Sequence, residues 1–325
     1  MYKTATDFTF FEKRNICLIC HSQSGRGMVQ DSFTSTAGRE YFCLPGFKYS
    51  YCEECDYFFI NPQPSFQSVD IYYNTHGAMT DEISFEKALR EFEQRGRNYK
   101  FVKGIGNKIK TICNPLGLEK KFLDFGCNLG FLLHYLSADY ECYGIEINES
   151  ARKFAKNNFK IKDVFSSLES IPSNLKFDII SLCDVIEHLH NPVETIMSLR
   201  DKLTSDGKIF LRLPIINGLL FSRHRPWQWK FVYAPYHLSM FSMKSISILA
   251  KRSGLEYEIF MDEEIHCIPD VIQLKIADMF PSLTRKIPVI NKSLLGPVSR
   301  FVSKIFAAYL KKQYPSECCF VSLSA

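Results

Sequence analysis

Lys121-Phe-Leu-Asp-Phe-Gly-Cys-Asn-Leu-Gly130 decides the fold. A short apolar run reaches an acidic residue, Asp124, and then enters a turn with glycines at 126 and 130. The apolar positions that follow (Phe131, Leu132, Leu133, Tyr135, Leu136) have helical spacing. A second run, Glu141-Cys-Tyr-Gly-Ile-Glu146, ends on another carboxylate. This is the pattern of the first β-α-β unit of a doubly wound α/β sheet, which binds its ligand at the carboxyl ends of the strands. A carboxylate facing that ligand suits a cationic group and would repel the pyrophosphate of a dinucleotide.

On these residues the chain resembles the class I S-adenosylmethionine-dependent methyltransferases, whose first motif is Asp-x-Gly-x-Gly-x-Gly. Asp124, Gly126, Asn128 and Gly130 stand at its places, with asparagine for the middle glycine. Asparagine tolerates a positive φ better than other non-glycine residues, so the turn survives the exchange. The resemblance implies a Rossmann-like, seven-stranded sheet. It also implies that Asp124, Gly126, Cys127, Asn128 and Gly130 hold the methionine part of S-adenosylmethionine, and that Glu146 takes the ribose hydroxyls.

With 325 residues, 46% of them hydrophobic, the chain can bury a large core and carry an appendage. No run approaches the ~20 apolar residues of a membrane span. The start, Met1-Tyr-Lys-Thr-Ala-Thr-Asp, lacks the basic and apolar regions of a secretion signal, so the expected compartment is the cytoplasm, with the twelve cysteines reduced or metal-bound. A net charge of +5 is too mild to indicate nucleic acid and fits an enzyme acting on an anionic, nucleotide-linked substrate.

Cys17-Leu-Ile-Cys20 and Cys52-Glu-Glu-Cys55 form two Cys-x-x-Cys knuckles. Two such knuckles facing each other make a tetrahedral sulfur site for zinc, and four protein ligands leave no open position for a reactive water. The expectation is structural zinc, with Cys43 as a buried thiol. Tyr57 to Pro64 then reads as a short strand stopped by prolines. Together these features resemble methyltransferases with an N-terminal zinc ribbon, many of which modify sugars in polysaccharide or antibiotic biosynthesis. The expected organisation is a ribbon over 1–66, a helical linker over 67–118, and a cofactor domain over 119–325 with a helical insertion near 265–314.

Phe85, Leu89, Phe92, Phe101, Ile105 and Ile109 recur at helical spacing within 78–113, predicting one or two amphipathic helices. Asn148 and Glu149 open a helix, Phe159–Phe165 reads as a third strand, and Phe177–Cys183 as a buried fourth. By the resemblance, the residues ending the third strand flank the adenine, which makes Asp163, Val164 and Phe165 the candidates. Pro192 opens a helix, Asp206-Gly207 turns into a strand over Lys208–Leu213, Ser245–Ser253 is helical up to Gly254, and Leu255–Met261 and Cys318–Leu323 are strands. Residues 295–313 form a basic amphipathic stretch, read as a helix over the substrate side in preference to membrane docking.

Methyl transfer to a hydroxyl requires an aimed nucleophile and removal of its proton. Asp184-Val-Ile-Glu187-His188 ends the fourth strand and matches the fourth motif of the family, beside the cofactor. Asp184 would neutralise cofactor charge, and Glu187 and His188 are candidates for the chemistry. The segment also resembles the Glu-x-x-Glu-His element of small-RNA 2′-O-methyltransferases and of some ubiquinone-pathway O-methyltransferases. There a divalent metal grips vicinal hydroxyls, helped in the RNA enzymes by a later histidine; here Asp184 stands for the first glutamate. That resemblance implies a divalent cation on Asp184, Glu187 and His188. His237, after the fifth strand, is the candidate base. Sugar C-methyltransferases with a zinc ribbon carry a Tyr-x-Glu-His-Leu-like segment there, whereas this chain has Ala234 and Tyr236 at the tyrosine and glutamate places. Trp227, Trp229, Arg223, Arg225 and His224 suit sugar stacking and phosphate pairing.

The leading expectation is O-methylation of a sugar, nucleotide-sugar or glycan. The other readings are a sugar C-methyltransferase, an RNA methyltransferase, and a non-catalytic cofactor-binding partner protein. Asp31, Glu40, Glu53, Glu54 and Asp56 give the ribbon a mixed charge that argues against RNA.

Overall fold

Short aromatic runs between glycine- and proline-bearing turns build an N-terminal sheet: β1 (Met28–Thr34), β2 (Lys48–Cys52) and β3 (Tyr57–Ile60). All four residues of β3 are buried, which is why its pattern is continuously apolar. The computed structural model describes residues 4–23, 28–35, 44–76, 82–114, 117–217, 229, 231–261 and 318–324. Three helices follow: α1 (Phe66–His76), α2 (Glu82–Glu93) and α3 (Arg97–Cys113), the last ended by Asn114 in the left-handed region. The second and third answer the periodicity expected over 78–113. α1 falls within the helical linker expected over 67–118, although no apolar periodicity marks it; among its described side chains Val69 and Tyr72 are the buried apolar ones.

The α/β unit then runs β4 (Lys121–Phe125), α4 (Phe131–Leu136), β5 (Glu141–Ile145), α5 (Glu149–Asn158), β6 (Asp163–Phe165), β7 (Phe177–Cys183), α6 (Pro192–Arg200), β8 (Leu203–Pro214), β9 (Ser239–Met240), α7 (Met243–Arg252), β10 (Glu256–Met261) and β11 (Cys318–Ser324). Local chemistry sets the helix starts. The Asn148 side chain accepts the Ala151 N–H at 2.9 Å, Ser242 and Ser245 cap α7 reciprocally, and Pro192 takes the first turn of α6. Gly254, at φ +67°, ends α7 as its position predicts.

Seven strands form one sheet in the order β10-β11-β8-β7-β4-β5-β6, with β11 antiparallel to both neighbours and the other adjacent pairs parallel. This is the expected Rossmann-like architecture. The strand order reverses between β4 and β7, so the crevice at their carboxyl ends is the natural ligand site. Val102, Ile105, Ile109 and Leu136 pack on one side of the sheet, while Ile196, Leu199, Ile246 and Leu249 belong to the cluster that also holds Cys17, Ile19 and Tyr57.

Two strand boundaries differ from the sequence reading. The third strand is only Asp163–Phe165, because Phe159 is spent capping α5 through its N–H to Ala155. Asp206-Gly207 lies inside β8 at a register irregularity, not in a turn before it. A β carbon at Gly207 would lie 2.9 Å from the Phe177 carbonyl oxygen, so the strand pair needs glycine there.

The N-terminal sheet is completed by β9, giving the order β1-β2-β3-β9. β9 pairs Ser239 with Phe59 and Met240 with Phe58, tying the segment after His237 to the cysteine-bearing hairpin. Cys43, Arg223, His224, Arg225, Trp227 and the expected insertion near 265–314, with its basic stretch at 295–313, lie outside the described residues. No described helix is long and apolar enough to cross a membrane.

Candidate functional site

Asp124 ends the buried part of β4, level with Ser181 of β7, whose hydroxyl donates to its Oδ1 at 2.6 Å. Burial pushes the Asp124 carboxyl up to about 7, against the restraining Ser181 bond, with the Glu146 carboxylate adding a smaller upward push. The turn beyond Asp124 runs through three left-handed residues, Gly126 (φ +80°), Asn128 (+48°) and Gly130 (+79°). Asparagine therefore does adopt the conformation its place demands.

Gly126 and Gly130 are required for space as well. A β carbon would lie 2.8 Å from Val185 Cγ2 at the first and 2.9 Å from Ala155 Cβ at the second. Gly130→Ala is expected to cost roughly 1–3 kcal/mol, read as a lowered thermal midpoint, because the strained φ and the α5 contact act together.

Glu146 stands just past β5. Its two oxygens accept the N–H groups of Asn128 (2.9 Å) and Asn148 (2.8 Å), which locks the turn onto the second strand. A carboxylate oxygen has a further lone pair, so both remain able to accept ribose hydroxyls. Cys127 sits in this turn with its thiol buried, and its N–H is spent on the Ile145 carbonyl at 2.9 Å. Val164 and Phe165 lie beside Gly144 and Ile145 in register, and the Phe165 carbonyl accepts the Glu146 N–H.

At the end of β7, Asp184 turns left-handed (φ +55°) and its carboxylate takes the Arg212 guanidinium. That guanidinium also lies 4.9 Å over the Phe101 ring, which explains why Phe101, counted on the apolar face of its helix, stays 44% exposed. Glu187 and His188 occupy a single 3₁₀ turn, Ile186–His188. The turn carries them toward His237, and the two imidazole rings meet edge to face at 4.7 Å. Ligand atoms of Glu187, His188 and His237 all lie within 4.8 Å of one another. The grouping therefore differs from the expected Asp184-Glu187-His188 set: Asp184 is drawn to Arg212, and His237 stands in the cluster with Glu187 and His188.

Glu187 is buried, and neither of its oxygens has a hydrogen-bond partner among the described residues. Burial, reinforced by the Asp184 carboxylate, holds its carboxyl well above the usual range. Burial also lowers His188 to about 4 and His237 well below the ordinary histidine value, so both are neutral at pH 7. His237 Nδ1 lies 2.7 Å from the Phe231 carbonyl, which fixes the proton on Nδ1 and turns Nε2 into the acceptor. Tyr233 packs edge-on against the same imidazole at 5.0 Å, whereas Tyr236 is turned toward Tyr72.

The four cysteines converge in a second cluster. Sulfur separations are 3.5 Å for Cys17–Cys55 and 3.4 Å for Cys20–Cys52, with all four within 4.8 Å. A tetrahedral ion with sulfurs at ~2.3 Å sets them ~3.8 Å apart, so the donor set and its size fit zinc. The crowded thiols titrate apart: hydrogen bonding to Cys17 holds Cys52 down to about 2, and the same contact lifts Cys17 to about 12. The Ile19 N–H points at Cys17 Sγ (3.4 Å), and Arg252 of α7 donates to the Leu18 and Ile19 carbonyls of the first knuckle.

Three residues of this arrangement escaped the sequence reading. Ser181 was legible through parallel register, since strand four must bring some residue level with Asp124. Arg212 was signalled by a lone charge in the apolar run Ile209-Phe-Leu-Arg-Leu213. Tyr49, whose hydroxyl donates to the His237 carbonyl at 3.1 Å, carried no signal beyond its aromatic character.

Among curated proteins, the chain is 28% identical over 132 residues to a cyclopropane-fatty-acyl-phospholipid synthase of Escherichia coli, covering 39% of this chain and 35% of that one. It is 23% identical over 121 residues to a tRNA U34 carboxymethyltransferase of Shewanella frigidimarina, covering 34% and 36% respectively. The chain thus spans about a third of the length of the curated relatives it matches. Solved structures similar to it include a SAM-dependent methyltransferase from Archaeoglobus fulgidus (TM-score 0.47, 17% identity, 74% of this chain and 99% of that one). Another is a phosphoethanolamine N-methyltransferase of Haemonchus contortus (TM-score 0.48, 14% identity, 90% and 71%). The model of a family described as a methyltransferase domain matches residues 73–258, more than half of the chain, and the chain belongs to that family.

Proposed function

We propose that this chain is an S-adenosylmethionine-dependent methyltransferase that methylates a hydroxyl of a sugar, nucleotide-sugar or glycan. The observation that carries the reading is the meeting of Glu187, His188 and His237 at one buried point on the β7 side of the crevice. Asp124 meets the cationic methionine end of the cofactor, Glu146 its ribose, and Val164 and Phe165 its adenine. On the acceptor side, the Nε2 of His237 takes the hydroxyl proton as the oxygen attacks the methyl carbon and the sulfonium leaves as a thioether. As the imidazolium forms, Glu187 beside it releases its own proton to solvent, and the proton on His237 then passes to Glu187, so that one proton leaves per methyl transferred. The sugar class rests on the resemblance to methyltransferases with a zinc ribbon.

A second reading has its own support in the orphaned oxygens of Glu187. A buried carboxyl without partners costs about 1–3 kcal/mol unless a ligand uses it. One carboxylate and two imidazoles suit zinc or manganese, and Glu187, His188 and His237 would be the holders. When bound, such a cation would acidify an acceptor hydroxyl. The four cysteines would hold a separate, structural zinc.

The test is transfer of an isotopically labelled methyl from S-adenosylmethionine to nucleotide sugars, glycans and structured RNA, each with and without added divalent cation. Label on a sugar oxygen is expected. Label on a sugar carbon or on RNA overturns the acceptor assignment, and dependence on added cation favours the metal reading over the free base.

A further inference from the structure

We infer that the four-cysteine module is the positioning device for the acceptor half of the site, so that metal in the cysteine cluster governs methyl transfer without governing cofactor binding. This rests on the assignment of His237 to the acceptor site.

The observation is a run of anchors along residues 234–242 supplied by the N-terminal sheet or its turns. Against them, the seven-stranded unit holds the segment at Phe241, whose carbonyl accepts the Ile216 N–H at 2.9 Å, and at the Ser239 hydroxyl on the Glu187 carbonyl. The Ala234 carbonyl accepts the Leu44 N–H at 2.7 Å. The His237 carbonyl accepts the Tyr49 hydroxyl at 3.1 Å. The Leu238 carbonyl accepts the Ile60 N–H at 2.8 Å. Ser239 and Met240 then pair with Phe59 and Phe58 as the fourth strand of that sheet. Finally, the Ser242 hydroxyl donates to the carbonyl of Cys55, itself one of the four thiols, at 3.1 Å. The apolar side chains agree: Trp229, Val232, Leu238 and Met240 share one buried cluster with Tyr49 and Phe58.

Metal is what orders the supplier of these anchors. β2 ends on Cys52, and its turn into β3 carries Cys55, so this hairpin is pinned at its tip by the cluster. The first knuckle is pinned from the other side by Arg252, whose guanidinium reaches the Leu18 and Ile19 carbonyls and lies 2.9 Å from His21 Nε2. Thiols alone join the two knuckles only through long sulfur–sulfur contacts of 3.4–3.5 Å. A cation binding all four would tie both knuckles and the hairpin tip together, at the end of the sheet away from its aromatic cluster. The hydrogen bonds of the cofactor turn close elsewhere, on Ser181, Ile145 and Glu146 of the seven-stranded sheet. The two halves of one active site therefore have different supports.

Hydrogen exchange, cofactor affinity and turnover, measured on the full chain before chelation, after it and after zinc return, test this. Chelation is expected to lower exchange protection over 234–242 by at least about tenfold, while protection over 121–130 holds. Cofactor affinity should change by less than about twofold while turnover falls by about tenfold or more, and zinc should restore both protection and rate. Unchanged protection over 234–242, or cofactor affinity lost in parallel with turnover, overturns the inference.

Tyr49→Phe provides a second arm. It keeps the ring stacked on Phe33 at 4.5 Å and removes only the hydroxyl on the His237 carbonyl. We expect a fall in kcat of about fivefold to tenfold, an unchanged cofactor KM and a moved His237 imidazole resonance. An unmoved resonance with full kcat also overturns it. If protection follows the metal while His237→Ala keeps full turnover, the positioning stands and the assignment of His237 fails.

Discussion

Asp124→Asn is expected to weaken S-adenosylmethionine binding by about a hundredfold, ~2–3 kcal/mol, as read by calorimetry. The exchange keeps the shape and the acceptor for the Ser181 hydroxyl, so the loss reports charge alone. The same residue predicts a pH dependence whose sign follows from its surroundings. Burial places the ligand-free Asp124 carboxyl at about 7, above its unfolded value, so ionisation opposes folding and the ligand-free chain loses stability as pH rises toward 7. A cationic ligand prefers the ionised form and offsets that loss. Wild-type affinity should therefore be constant above pH 7 and weaken by up to about tenfold per unit below it. The asparagine variant keeps only the titration of Glu146, whose carboxyl burial also raises, so its profile should be clearly shallower than that of the wild type. Unchanged affinity in the variant would remove Asp124 from the cofactor site.

The cofactor half was legible because its determinants are local. One strand, one turn with positive φ at 126, 128 and 130, and one carboxylate at the end of the next strand lie within 26 residues of sequence. Backbone geometry dictates residue type there, so the residues announce the geometry. The acceptor half was legible residue by residue but not as a grouping. Asp184, Glu187 and His188 are spaced like ligands on a helix face, yet the segment is a single 3₁₀ turn entered through a left-handed Asp184. That turn sends Asp184 to Arg212 and the other two to His237. Their meeting depends on Ser239 and Met240 pairing with the cysteine hairpin, a contact across 180 residues that no local pattern encodes.

His237→Ala should lower kcat by about 10²- to 10⁴-fold while cofactor affinity stays within about twofold, because general-base catalysis acts only on the transferring step. The geometry explains the size of the loss. Nδ1 is committed to the Phe231 carbonyl, so Nε2 is the one basic atom the ring can offer, and Tyr233 and His188 restrict the ring from two sides. His188 does not replace it: hydrogen bonds to the backbone at Tyr236 and Asp184 engage its ring, and burial lowers it to about 4. The pH profile of kcat at saturating cofactor carries the sign check. A histidine whose value is depressed by burial is already deprotonated near neutrality, so kcat should be flat between about pH 6 and 8 and fall only in stronger acid. An unperturbed histidine would instead bend the profile near its ordinary value. Glu187→Gln separates the two chemistries at this point. Glutamine cannot ionise to balance an imidazolium, so a free-base mechanism loses about tenfold whether or not cation is present. If Glu187 is a ligand, the variant should lose bound metal in the same proportion as rate, and excess cation should recover part of both. Full turnover in His237→Ala would remove the base and leave the acceptor site to be sought elsewhere on the crevice.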